Sequence, residues 1–482
     1  MFYFARLSFT DYNVLMNSNK LTFCTGVGTV TGANFLLEAN NKKILVDCGM
    51  VQGERVAEEQ NSEDFPYDPA AIDVLMVTHA HLDHVGRIPK LVKDGFKGVI
   101  YSTPQTRDLA ELVMIDAAKI ISMEAEQYGY EPIYNLDDVT KVLPLWKTIE
   151  YHENFEIMPG VSVYLKDAGH ILGSSMVEMS VKDPSGETEK ILFTGDLGNS
   201  PSPLLRDTEA VGDVDYIVME SVYGDRNHET RETRLEELTN AINTTLARGG
   251  TLVIPAFSID RTQVLLYELN NLVHQKKIPS VPIFLDSPMG QKATEVYRDS
   301  TELFNETAKK QIAGGDDIFS FPNLTFVESQ RESQGIDHMN GAKIILAGSG
   351  MSVGGRVIGH EQHFLSDPKS TVLLVGYQSI GSLGRELADG AKKVTIHKET
   401  VHVKAQVATL YGYSAHKDSD HLVEFVATAG DGSSGTNGGK GKLKKVFVVM
   451  GEPGASMHLA QRLNDELGVK AMLPERLKVY EI

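Results

Sequence analysis

The sequence of 482 residues contains few cysteines and no long hydrophobic run. No apolar stretch approaches the roughly 20 residues that a membrane helix needs, so we predict no membrane span. The only cysteines, Cys24 and Cys48, are too few for a disulfide scaffold and lack the spacing of metal ligands. Arg6 and Asp11 interrupt the apolar start, which is unlike a secretory signal. These features predict reduced thiols and a cytoplasmic location.

The sequence also lacks an excess of positive charge. It has 46 lysines and arginines against 65 aspartates and glutamates, which gives a formal net charge of −19. Nucleic-acid-binding domains usually have a basic excess, so this balance argues weakly against such a partner. The net charge of the whole chain does not give the charge inside a cleft, however, and bound metal ions add positive charge locally. Nucleic acid is therefore not excluded as a partner.

The pattern of secondary structure changes twice along the chain. Before about residue 220, short strands alternate with loops, and after residue 231 longer helices alternate with strands, which predicts a parallel sheet. Short strands return after about residue 410. We therefore predict one domain formed by residues 1–220 and 411–482, interrupted by a second domain at residues 221–410. A glycine-rich stretch, residues 430–442, is predicted to be a surface loop.

The motif T-H-A-H-L-D-H places four candidate metal ligands within six residues. His79, His81, Asp83 and His84 directly follow an apolar stretch, residues 72–77, that is typical of a buried strand. Imidazole and carboxylate together suit zinc, and four ligands are enough for parts of two adjacent sites. We expect two zinc ions here.

Three further ligand-type residues end predicted strands. Asp47, His170 and Asp196 each follow an apolar segment, and each has a glycine within two residues: Gly49 after Asp47, Gly169 before His170 and Gly195 before Asp196. Taken singly, a carboxylate in such a turn is more often a turn former. Taken together, these residues can complete a dinuclear site, in which His170 joins His79 and His81 while Asp196 bridges the two ions.

These segments resemble the metallo-β-lactamase superfamily, with its aspartate strand, its histidine-rich loop, and a later histidine and aspartate. The resemblance implies an α/β fold, an αββα sandwich with metals at the edges of the sheets. That fold supports several chemistries, so it does not identify the substrate.

Six further motifs occur in order along the remaining chain and narrow the resemblance to the β-CASP family of nucleases. They are ESVYGDR (220–226), PAFSIDRTQ (255–263), DSPM (286–289), GSGMSVGGR (348–356), VGYQ (375–378) and YSAHKD (413–418). The resemblance implies an inserted α/β β-CASP domain. It also implies a zinc-dependent ribonuclease that hydrolyses single-stranded RNA with metal-activated water and leaves a 5′-phosphate and a 3′-hydroxyl.

The resemblance implies roles for individual residues. Glu220 orients His416, which protonates the leaving oxygen as general acid, while Asp83 serves both the metals and catalysis. Asp47 is expected to contact and orient the metal-ligating side chains without binding a metal ion itself. Contacts with substrate phosphates are expected from Ser349, Gly350, Arg356 and Arg261.

One position departs from the family pattern. Met450 stands where relatives have a metal-ligating histidine, and a thioether is a poor ligand for zinc. His458, eight residues later in a predicted helix, is too distant to substitute. We therefore expect one tightly bound zinc ion and a second that is weak and exchangeable.

Several alternatives stay open at this point. The protein could be a DNA-acting β-CASP nuclease, or a weakly active partner subunit of an RNA-processing complex. Endonuclease and 5′ exonuclease activity are not distinguished, and a homodimer is not excluded. We also expect no KH-type RNA-binding domain before the core and no further C-terminal domain after it.

Overall fold

The computed structural model describes residues 19–53, 57–182, 187–430 and 443–482. The stretch predicted to be a glycine-rich loop lies outside these residues apart from Gly430, so that prediction is not tested. Two seven-stranded sheets, one six-stranded sheet and one hairpin form the described β-structure.

The first sheet combines antiparallel strands at one edge with parallel strands at the other. The final strand of the chain, Val479–Glu481, pairs with Lys20–Thr25, so the C-terminus closes this edge. The strands, in spatial order, are Val479–Glu481, Lys20–Thr25, Asn34–Ala39, Lys42–Val46, Val74–Met76, Val99–Ser102 and Trp146–Thr148.

The second sheet faces the first across an apolar core. In Val161–Asp167 the residues alternate between buried and half-buried, the period-two pattern of a strand. Phe23 of the first sheet and Phe193 and Phe447 of the second belong to one buried cluster. The strands, in spatial order, are Ala471–Met472, Lys445–Val448, Tyr216–Met219, Thr188–Phe193, Ser175–Lys182, Val161–Asp167 and Asn154–Met158.

The six-stranded sheet is parallel throughout, which confirms the prediction from the alternation of helices and strands. Its central strands are fully buried, as expected when helices cover both faces. The strands, in spatial order, are Leu324–Phe326, Ile283–Asp286, Lys343–Ala347, Thr251–Pro255, Thr371–Val375 and Gln406–Leu410. A separate antiparallel hairpin joins Lys393–Ile396 to Glu399–His402.

Helices cover the outer faces of the two seven-stranded sheets and both faces of the six-stranded sheet. The longest begins after Thr103, whose hydroxyl accepts a hydrogen bond from the Thr106 amide, and ends at Gly129 in a left-handed conformation. The α-helices are Ala57–Ser62, Leu82–Val85, Ile88–Lys93, Pro104–Tyr128, Leu136–Val142, Arg231–Ala247, Arg261–His274, Pro288–Arg298, Glu306–Ala313, Gln330–Asp337, Val357–Phe364, Leu383–Ala388, Ser419–Gly430 and Pro453–Leu467. Short 3₁₀ turns occupy Pro69–Ala71, Leu143–Leu145, Thr301–Leu303 and Tyr411–Tyr413.

This architecture confirms the predicted αββα sandwich with an inserted α/β domain. The domain boundaries, at residues 220/221 and 410/411, remain predictions. Cys24 and Cys48 are both buried and unpaired, and burial raises the pKa of each thiol to about 12. None of the helices in the described part of the chain is long and apolar enough to cross a membrane.

Candidate active site

The candidate metal ligands lie where strands of the two facing sheets end. Asp47 follows Lys42–Val46, and the histidine-rich motif begins two residues after Val74–Met76. From the second sheet, His170 follows Val161–Asp167 and Asp196 follows Thr188–Phe193. Strands that end at one edge bring these distant residues of the sequence together, and they form compact groups of possible ligands.

The first group consists of three histidines and one carboxylate. His81 Nδ1 lies 3.2 Å from His79 Nε2 and 3.2 Å from His170 Nε2. Asp196 Oδ2 lies 3.4 Å from His79 Nε2 and 3.5 Å from His170 Nε2. Zinc–nitrogen bonds of about 2.0–2.1 Å place tetrahedral ligand atoms about 3.3 Å apart, so these four distances match edges of one tetrahedral site.

The second group shares Asp196 and has one ligand fewer. His84 Nε2 lies 3.4 Å from Asp196 Oδ1 and 3.8 Å from Asp83 Oδ2. Asp196 thus offers one carboxylate oxygen to each group, the geometry of a bridging ligand. Asp83, His84 and Asp196 are the three residues of this second group.

Asp47 contacts the imidazole of His84 at Nδ1, the ring nitrogen that does not face the second ligand group. Its carboxylate lies 2.8 Å from His84 Nδ1 and accepts hydrogen bonds of 2.8 Å from the Thr78 amide and hydroxyl. Asp47 itself has a φ of 58° directly after its strand, a conformation that aspartate tolerates better than most residues. Such a carboxylate–histidine contact orients the opposite ring nitrogen of a metal ligand.

The polar atoms of both groups fit bound cations. His84 Nε2 and Asp196 Oδ1 are buried and, although only 3.4 Å apart, form no hydrogen bond of ordinary geometry with each other or with any other described residue. Burial, reinforced by neighbouring histidines, lowers the pKa of His81 and His170 well below the usual value, so both imidazoles are neutral as metal ligation requires. Burial alone would lower the pKa of His84 too, but the nearby carboxylates of Asp196, Asp47 and Asp83 raise it well above normal.

His416 and Glu220 form a pair beside the metal ligands. His416 Nδ1 lies 3.2 Å from both carboxylate oxygens of Glu220 and 3.9 Å from Asp196 Oδ2. Burial would lower the pKa of His416, but the Glu220 carboxylate outweighs it and raises that pKa to about 9. Glu220 also accepts a 2.6 Å hydrogen bond from the Leu197 amide, which fixes its orientation. The pair leaves Nε2 on the opposite side of the imidazole ring.

A cleft of about 800 Å³ connects these residues to the loops of the six-stranded sheet. His81, Asp83, His170, Asp196 and His416 line it from the sandwich. The four predicted phosphate contacts, Ser349, Gly350, Arg356 and Arg261, line it from the other side. The structure therefore brings all these predicted site residues to one cleft, and their roles remain predictions.

The two arginines in the cleft already have partners within the protein. Arg356 Nη1 donates hydrogen bonds to Asp286 and to the Val327 carbonyl, and Nη2 donates to the Glu328 carbonyl. Arg261 is buried and lies 3.7 Å from the Asp260 carboxylate. A substrate phosphate would have to compete with these contacts.

Met450 lies next to the second ligand group but is packed as a core residue. It is 2% exposed and belongs to the apolar cluster between the two sheets. Its sulfur lies against Gly26, where an added Cβ would come within 2.9 Å of it. His458 lies in the helix Pro453–Leu467, and its Nδ1 is 2.9 Å from the Gly224 carbonyl, so it is engaged elsewhere.

Three supporting groups were not predicted from the sequence. The Thr78 hydroxyl donates a hydrogen bond to the Asp47 carboxylate and lies 3.1 Å from Nδ1 of His79, so it bridges these two side chains. The Ala415 carbonyl lies 3.2 Å from His170 Nδ1, and His228 Nε2 lies 3.0 Å from the His416 carbonyl. Thr78 directly precedes the histidine motif and could have been considered, whereas the other two contacts use main-chain oxygens that the sequence does not single out.

Three segments of the chain match known domain families. Residues 27–163 match the Metallo-beta-lactamase superfamily, and residues 262–387 match the Beta-Casp domain. Residues 400–474 match the Zn-dependent metallo-hydrolase RNA specificity domain.

Curated relatives align over most of the chain. Ribonuclease TTHA0252 of Thermus thermophilus is 36% identical over 397 residues, which cover 82% of this chain and 88% of the relative. Transcription termination factor FttA of Thermococcus kodakarensis is 30% identical over 480 residues, which cover 96% of this chain and 71% of the relative. FttA of Methanosarcina mazei is also 30% identical, over 479 residues with the same two coverages.

A solved structure shares the fold. The crystal structure of a protein of unknown function from Enterococcus faecalis V583 matches with a TM-score of 0.55 at 12% identity, covering 96% of this chain and all of that chain. At this identity the match concerns the fold alone.

Proposed function

This chain belongs to the β-CASP family of metal-dependent nucleases within the metallo-β-lactamase superfamily, and we propose that it is a zinc-dependent ribonuclease. The observation that carries the proposal is the pair of ligand groups sharing Asp196 at the floor of the cleft, with His416 and Glu220 beside them. Metal ligands and a candidate general acid thus face the same space.

We assign the metal-binding roles by the donor atoms. His79, His81, His170 and Asp196 would hold one zinc ion, and Asp83, His84 and the second oxygen of Asp196 would hold the other. Two cations bound there would supply an activated water near neutral pH and positive charge opposite the phosphate. The second ion would be held more weakly because its group has one ligand fewer and Met450 adds no imidazole.

His416 acts as the general acid. Glu220 holds the Nδ1 side of the ring and favours the protonated imidazole, so Nε2 can donate a proton to the departing 3′ oxygen. This assignment leaves a 3′-hydroxyl on one product and a 5′-phosphate on the other. Asp83 is placed at the same edge, where it serves the second cation.

RNA is the proposed substrate, as an unpaired strand in the cleft. The ribonuclease name of the Thermus thermophilus relative supports this choice. The reaction does not require the 2′-hydroxyl, so preference for RNA over DNA must arise from binding. The free thiols of Cys24 and Cys48 are consistent with the cytoplasmic location that we propose.

The direct test is hydrolysis of end-labelled single-stranded RNA and DNA of the same sequence, with and without chelator. We expect RNA cleavage that stops with chelator and returns with zinc, and products with 5′-phosphate ends. Preferential cleavage of DNA would favour a DNA-acting nuclease. Binding without cleavage of either strand, at full zinc occupancy, would favour a non-catalytic partner subunit.

A further inference from the structure

The hairpin formed by Lys393–Ile396 and Glu399–His402 presents a basic surface on this acidic chain. Residues 391–404 contain four lysines and one glutamate, whereas the whole chain has a net charge of −19. The inward residues Val394, Ile396 and Val401 are buried in an apolar cluster. Lys393 and His402 are cross-strand partners on the exposed side, and the remaining lysines, Lys392, Lys398 and Lys404, are exposed as well.

Among the described residues, no carboxylate forms an ion pair with Lys392, Lys393, Lys398 or Lys404. The single acidic residue of the segment, Glu399, instead accepts a 2.9 Å hydrogen bond from Gln362.

Two further cations flank the base of the hairpin. Lys369 is exposed, and the acceptors that Arg248 has among the described residues are all uncharged: the Lys369 carbonyl, the Gln406 side chain and the Thr371 hydroxyl. Asp367 is the nearby acid, and its carboxylate accepts from the Lys369 amide and the Ser370 hydroxyl.

The two central residues of the hairpin turn adopt an unfavourable backbone conformation. His397 and Lys398 have φ values of 48° and 67°, so both central residues are left-handed. Two-residue turns of this kind favour Asn-Gly, since most side chains are strained there. Strained residues tend to persist where they have a function, and here they place an imidazole and an ammonium group at the tip.

The hairpin is connected to the cleft by one short helix. Val357–Phe364 begins directly after Arg356, which lines the cleft, and spans about 12 Å. At the far end of this helix, the Gln362 side chain donates a hydrogen bond to Glu399 of the hairpin. The Leu365 carbonyl accepts a 2.8 Å hydrogen bond from the Lys404 amide, just after the hairpin. A strand leaving the cleft along this helix would reach the basic surface.

We propose that the hairpin surface, defined by Lys392, Lys393, Lys398, Lys404, Lys369 and Arg248, is a second binding site for the phosphate backbone of the RNA strand, outside the catalytic cleft. The proposal rests on the ribonuclease function proposed above. Both arginines of the cleft are paired internally, so the hairpin supplies the unpaired cations that release counterions on binding. It therefore adds affinity for long strands and leaves the chemistry unchanged.

The test replaces the four hairpin lysines with glutamine in the zinc-loaded protein. Binding of a labelled single-stranded RNA of about 16 nucleotides is measured by fluorescence anisotropy over a range of salt concentrations. Each phosphate contact to a single strand contributes about 0.7 to the slope of log affinity against log salt, so we expect the slope to fall by about 3. The KM for this RNA should rise with little change in kcat.

A matched control replaces four exposed lysines elsewhere, Lys97, Lys147, Lys276 and Lys277. It removes the same charge and should leave slope and KM close to those of the unmodified protein. Hydrolysis of a small chromogenic phosphodiester, which cannot reach the hairpin, should be equal in all three proteins. Absence of RNA cleavage by the zinc-loaded unmodified protein would refute the ribonuclease function itself, whereas an unchanged slope with normal hydrolysis would overturn only the hairpin site.

A second variant separates binding from folding. His397→Asn with Lys398→Gly relieves the turn and should raise the melting temperature while weakening binding of the long RNA. A rise in stability without loss of affinity would contradict a role of the turn residues in RNA binding.

Discussion

The two walls of the cleft differ in how their buried ionisable groups are paired within the protein. On the sandwich side, the buried atoms His84 Nε2 and Asp196 Oδ1 lie 3.4 Å apart but form no hydrogen bond of ordinary geometry with each other or with another described residue. On the side of the six-stranded sheet, one oxygen of the Asp286 carboxylate accepts a hydrogen bond from Arg356, and the other lies 2.8 Å from Nε2 of His360. Unsatisfied buried atoms are costly unless something binds them. The comparison therefore supports our proposal that cations bind at the first wall, and it shows that the Asp286 carboxylate of the second wall is already paired within the protein.

The largest effect should follow from removing the second ligand group. Asp83→Ala with His84→Ala should abolish RNA hydrolysis because the second cation loses its own ligands, while circular dichroism shows a folded protein built on its apolar core. A matched control is His152→Ala, which removes an exposed histidine paired with Glu209. Normal turnover by the double variant would disprove the dinuclear site.

Loss of the general acid should have the next largest effect. His416→Ala should lower kcat about 10²–10⁴-fold, the usual contribution of a positioned acid. Bound zinc should not change, since the imidazole is paired with Glu220 and stands outside the two ligand groups. Elemental analysis decides this point, because His416 also forms a third compact group with Asp196 and Glu220. A large loss of zinc would show that His416 is a ligand.

On the opposite wall, mutations should affect stability rather than metal content. Asp286→Ala leaves Arg356 and His360 without their shared carboxylate, and breaking such a buried pair costs about 3–5 kcal/mol. Asp389→Ala, which removes the exposed partner of Arg385, should cost less than about 1 kcal/mol. Urea unfolding measures both. Equal effects of the two variants would mean that the Asp286 cluster is no more important than a surface pair.

The same cluster predicts a dependence of stability on pH. Burial would lower the pKa of His360, but Asp286 and Asp337 raise it to about 9. A raised pKa means that the folded state holds the proton more tightly, so this stabilisation is complete below about pH 6.5 and is lost as pH rises through 9. The loss amounts to about 3 kcal/mol. Urea unfolding across this range should show the decline, and His360→Asn should flatten it; an unchanged slope in that variant would assign the decline to other groups.

The sequence alone was enough to predict the candidate site residues that lie close together along the chain. The histidine motif occupies adjacent positions after one buried strand, so its four ligands could be recognised together, and the parallel sheet followed from alternating helices and strands. Contacts between distant segments could not be predicted in this way. The Ala415 carbonyl beside His170 depends on how the chain returns after the insertion. Likewise, the predicted availability of Arg356 ignored Asp286, which is 70 residues away.

The most direct test of the account is a calorimetric titration of chelator-treated protein with zinc. We expect two separate binding steps, a tight one for the four-ligand group and a weaker one for Asp83, His84 and Asp196. The weaker step should disappear in the Asp83→Ala, His84→Ala variant and tighten in Met450→His. Two steps of equal, tight affinity in the unmodified protein, or no zinc binding that depends on these residues, would contradict the account.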